Sequence, residues 1–141
     1  MDQLFLVANL FAMIGWALLV AAPGWRWTER LVLSGTWSIA LAVVYTALVL
    51  RALPGAEGNF TSIAGVRMLF ANDALLTAGW VHYLAFDLMV GAIEVRLANR
   101  HGIPHIILIP ILIATLMLGP LGLLAFVITL SIREGRLTPL T

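Results

Sequence analysis

The sequence predicts an all-α integral membrane protein, a four-transmembrane-helix bundle with a short interfacial helix between spans 2 and 3. Three observations carry that expectation. Of the 141 residues, 62% are hydrophobic and only 11% are charged, against about 25% charged in soluble chains. Mean hydropathy is +1.03, and the shortage of charge extends along the whole chain, as in a single membrane domain over 1–141. Third, apolar stretches near 3–22, 31–50, 72–95 and 105–132 approach the roughly 20 residues that cross a hydrocarbon core.

The totals also exclude functions. A formal charge of +1 leaves no electrostatic case for nucleic acid. With no cysteine, disulfides, thiolate metal sites and a cysteine nucleophile are all out of reach. Every basic residue is arginine.

The first span, Gln3 to Ala22, follows Asp2 with no basic segment and ends at Pro23-Gly24-Trp25, unlike a cleaved signal peptide. Its Asn9 reads as interhelical glue. Trp25 and Trp27 in the next connection suit the headgroup level. The second span, Leu31 to Leu50, sets Ser34, Ser38, Leu41 and Tyr45 on one stripe; small hydroxyl residues permit close helix approach, and Tyr45 can reach a central cavity. The connection 51–71 holds Pro54-Gly55 and Gly58-Asn59, and within it 60–69 can form a short interfacial helix.

The third span carries the chemistry. At about 100° per residue, His82, Phe86, Gly79, Tyr83, Glu94, Asp87 and, at the margin, Trp80 share one arc. Leu84, Leu88, Val81, Ala92, Ala85 and Ala78 form the opposite side. An ionised aspartate at bilayer depth costs about 2.5–3.5 kcal/mol, so ionisable groups there are functional candidates. His82 and Asp87 stand roughly 7.5 Å apart along the axis, at opposite margins of the arc. They are the candidate acid and base, with Trp80, Tyr83, Phe86 and Tyr45 as an aromatic wall for a long apolar ligand. The plainer reading is a histidine and an aspartate that hydrogen-bond to neighbouring helices and fix the bundle.

The last span, from His105 to about Ile132, is interrupted by Pro110 and Gly119-Pro120, where a kink is expected. Four spans place both termini on one side. Arg51, Arg67, Arg133 and Arg136 then lie on the terminal side, Arg26, Arg30, Arg96 and Arg100 on the other, and the positive-inside rule gives no orientation. His101 and His105 fall at the membrane edge, nearly a span from His82, so a shared three-histidine metal site is not expected. No metal and no cofactor is assigned.

The run Leu69-Phe70-x-Asn-Asp73-x-Leu-Leu-x-Ala-Gly-Trp80-Val-His82-x-Leu-x-x-Asp87-Leu, then Arg100-His101, then Leu118-Gly119-Pro120-Leu121-Gly122-Leu123-Leu124 resembles the abscisic-acid-deficient-four family, the plant neoxanthin synthases and their bacterial relatives. Ala22-Pro23 matches as well, and the resemblance extends over essentially the whole chain. It implies a four-helix membrane protein that modifies carotenoids, converting an epoxide into an allenic isomer in the plant members. Without a transit peptide the chain looks like a bacterial-type member, which implies the inner membrane. The expected function is acid/base rearrangement of a carotenoid in an intramembrane pocket, catalysed by His82 and Asp87. The alternatives are metal-dependent oxidative cleavage of a carotenoid such as β-carotene, and a non-enzymatic carotenoid- or lipid-binding or assembly protein. Expected partners are a carotenoid or similar ligand, membrane lipids and a second copy of the chain.

Overall fold

The computed structural model describes residues 1–135; Arg136 and the rest of the tail lie outside the described residues. Helix α1 covers Asp2–Ala21. A turn of π-helix at Thr28–Leu33 and Gly35, at φ 85°, reverse the chain into α2, Thr36–Ala52, so the second helix starts later than the apolar pattern implied. A 3-10 turn at Leu53–Gly55 extends it. Helix α3, Ile63–Phe70, forms in the connection expected to hold a short helix, where the Ser62 hydroxyl accepts from the Gly65 amide. Helix α4, Asp73–Arg100, is the longest.

The start of α4 is sharply defined. The Asn72 side chain accepts from the amides of Ala74 and Leu75 at 2.9 and 3.3 Å, satisfying two of the free first-turn donors. Asp73 follows in the first turn, where a carboxylate favours the positive end of the helix dipole.

Helix α4 is the hub. α1 runs parallel to it and α2 antiparallel, and both bury its apolar side. Val81, Leu88, Ala92 and Val95 are fully enclosed there. Lipid is as apolar as leucine, so association rests on close fit and on small interfacial residues. Gly91 and Gly15 supply that fit. A methyl on Gly91 would come within 2.7 Å of the Trp16 ring, and one on Gly15 within 2.9 Å of Leu88. Trp37 of α2 locks to α1, its indole donating to the Phe11 carbonyl at 2.8 Å while the two rings stack at 4.3 Å.

The expected fourth span is not one helix. It divides into α5, His105–Leu118, and α6, Pro120–Glu134, which fold back on each other. Gly119 has φ 29° and ψ −86°, a conformation that a side chain disfavours, and Pro120 has no amide hydrogen to continue the α5 ladder. The kink expected near Pro120 is therefore a reversal. Pro110, inside α5, does not interrupt it.

Two contacts close the hairpin at its open end. Arg133 donates to the Gly102 carbonyl at 3.2 Å, and the His101 ring meets the Glu134 carboxylate at 2.7 Å. Gly122 makes the arms fit, since any side chain there would strike Thr115. Among the described residues, three helices are long and apolar enough to cross a membrane: α1, Thr36–Gly55 and α4. At about 1.5 Å per residue, each arm of the hairpin reaches some two thirds of the way across. The described chain therefore ends on the side opposite Met1, where four spans had implied the same side.

Candidate functional site

His82 lies on α4 about 7 Å along the axis from the helix midpoint. Its ring packs on Tyr45 of α2 at 5.3 Å and on Phe86, one turn along, at 4.5 Å. It stands in the wall of a groove of about 450 Å³ between α2, α3 and α4. Tyr45, Val49, Leu69 and Ala78 form part of its lining, and Phe60 and Phe70 its rim. Both rim rings are exposed, so the groove opens at the surface of the bundle. The local cause is α3, which packs on α4 and whose buried Gly65 and Leu69 sit against Gly58 and Asn59 of the connecting loop.

Asp87 lies in different surroundings. It faces the tip of the α5–α6 hairpin, and a methyl built on Gly119 would meet its Oδ1 at 2.6 Å. Its Oδ2 is buried without a hydrogen-bond partner. Only glycine combines that backbone angle with room for the carboxylate. His82 and Asp87 share no hydrogen bond, and Asp87 is not part of the groove lining.

The aromatic wall divides in the same way. Tyr45 and Phe86 stand with His82. The Tyr83 hydroxyl donates to the Leu116 carbonyl at 2.6 Å, tying α4 to the end of α5. Trp80 donates to the Asn9 side chain at 3.0 Å and packs on Phe5, which makes Asn9 the glue between α1 and α4. Phe86 is 60% exposed and borders a small apolar hollow with Ser38, Ile39 and Ala42 of α2.

A regularity in α4 went unused at the sequence level. Asp87, Glu94 and His101 recur every seven residues, hence on one stripe of the helix, and the hairpin answers each. Gly119 meets Asp87. Thr115 donates toward both oxygens of the fully buried Glu94 at 3.0 Å. Glu134 meets His101. The seven-residue spacing was the available signal, but it acquires meaning only once a helix is known to cover that stripe.

His105 contacts the Val20 carbonyl at 2.9 Å and stays at the membrane edge with His101. Among the described residues, no three histidine or carboxylate side chains converge as a metal site would require.

Comparison with known proteins adds one match. The family model described as ABA4-like, ABA DEFICIENT 4-like, matches residues 3–126. No curated protein and no solved structure matches.

Proposed function

The chain belongs to the ABA4-like family, and from that membership and the groove beside His82 we propose that it is a membrane enzyme that isomerises or otherwise rearranges a carotenoid by proton transfer. The observation that supports this reading is a mostly apolar groove at the bundle surface with the His82 ring in its wall. Ligand pockets are mostly apolar with a few placed polar groups, and a lateral opening suits a ligand that never leaves the lipid.

The chemistry asks for little more. Opening a carotenoid epoxide to an allenic alcohol needs one group to protonate the oxirane oxygen as its C–O bond breaks. A second group removes a proton from the polyene. Substrate and product are isomers, so no electrons enter or leave. His82 takes one proton role from the groove wall, and Asp87, on the same helix but beyond the groove lining, takes the other, with the exposed Phe86 ring beside His82. Tyr45 positions the ligand from α2. Trp80 and Tyr83 act indirectly, by holding α1 and α5 against α4.

The decisive experiment is chromatography of pigments from a carotenoid-producing host with and without this chain. A new isomer of a host pigment supports the enzyme. A second reading, a carotenoid-binding protein without catalysis, is favoured by the separate surroundings of His82 and Asp87. Unchanged pigments that co-purify with the chain would select it and reject the isomerase.

A further inference from the structure

The hairpin removes a tie that four spans created. When α6 returns to the side from which α5 started, Arg133 moves across the membrane with it. Among the described residues, which exclude Arg136, Arg26, Arg30, Arg96, Arg100 and Arg133 then stand at one end of the bundle, against Arg51 and Arg67 at the other. Short loops rich in Lys and Arg stay on the cytoplasmic side, and the count is made over residues near the span ends.

The arginine-rich end is also built as a membrane surface. Arg26 and Arg30 lie 5.4 and 5.9 Å from the Trp27 ring, pairing cation and indole at the level where both favour the headgroups. Arg96 donates to the Leu33 carbonyl and Arg133 to Gly102. At the opposite end Arg51 and Arg67 share the surface with Asp2, Glu57 and Asp73.

We infer that the arginine-rich end faces the cytoplasm and the amino terminus faces away from it. His82 lies on the amino-terminal side of the α4 midpoint, and Leu69 and Phe70 of α3 and Leu75 of α4 line the groove at that same end. The groove therefore opens within the leaflet remote from the cytoplasm and takes its long apolar ligand from there. This last step rests on the carotenoid reading; the orientation does not.

The absence of native cysteine makes the test direct. Single-cysteine chains Glu29→Cys and Glu57→Cys, and a chain with one cysteine appended at its carboxyl terminus, are produced in a bacterial inner membrane. Intact cells are treated with a membrane-impermeant maleimide. The expected result is labelling of Glu57→Cys in intact cells, and of the other two only after permeabilisation. The reverse pattern overturns the orientation. Labelling of Glu57→Cys and the appended cysteine from the same side overturns the hairpin topology on which the count depends. Adding Arg26→Gln, Arg30→Gln and Arg100→Gln to Glu57→Cys equalises the two ends and should leave part of the population unlabelled from outside. Undiminished labelling would reject arginine as the cause. None of these readouts involves pigment, so failure of the carotenoid reading leaves them intact.

Discussion

Asp87 and Gly119 occupy one another's space at the middle of the bundle: the carboxylate fills the room that a side chain on the hairpin tip would need, to within 2.6 Å. The longest helix and the one reversal inside the apolar region thus meet at an ionisable group. Irregular backbone at membrane depth is tolerated where protein covers it, and here α4 provides the cover.

Gly119→Ala should lower stability by about 1–3 kcal/mol from the sparsely populated backbone angle alone, with a further loss from the contact with Asp87. Thermal unfolding in detergent measures it. Because the two residues touch, Asp87→Ala in the Gly119→Ala background should recover part of the loss, as coupled neighbours do. Strict additivity of the two substitutions would refute the contact.

Thr115→Val keeps the side-chain shape but removes the hydroxyl that serves Glu94. A buried acceptor left unpaired costs about 1–3 kcal/mol, so the variant should unfold earlier than the parent. Glu94→Gln retains an acceptor for Thr115 and should cost less. An unfolding midpoint for Thr115→Val equal to that of the parent would count against the bond.

At the α1–α4 seam, Gly91→Val places methyl groups against the Trp16 ring. Overpacking of this kind costs about 1–3 kcal/mol. The same change at Gly24, where an added Cβ meets nothing, should leave the unfolding midpoint nearly unaltered. Equal effects at the two glycines would contradict the packing described.

His82→Ala removes an exposed ring and should change stability by no more than about 0.5 kcal/mol, while abolishing pigment conversion. Asp87→Asn should also abolish it, because the amide preserves shape but neither gives nor takes the proton. Conversion retained by either variant, measured by chromatography of pigment extracts, would remove that residue from the mechanism.

The sequence by itself determined the family, the apolar segments long enough to cross a membrane and the short helix before α4, and it nominated His82 and Asp87. These follow from local information: apolar length, the apolar residues between 60 and 69, and the Trp80-x-His82 and Asp87-Leu88 motif. Only the tertiary structure decided that residues 105–134 turn back on themselves. Gly119-Pro120 is compatible with either a kink or a reversal, and the choice depends on whether Gly122 finds Thr115 and Glu134 finds His101. It also decided that His82 faces the groove while Asp87 faces the hairpin tip. A helical wheel fixes the angle at which a side chain leaves its helix, but what covers that sector is set by long-range packing.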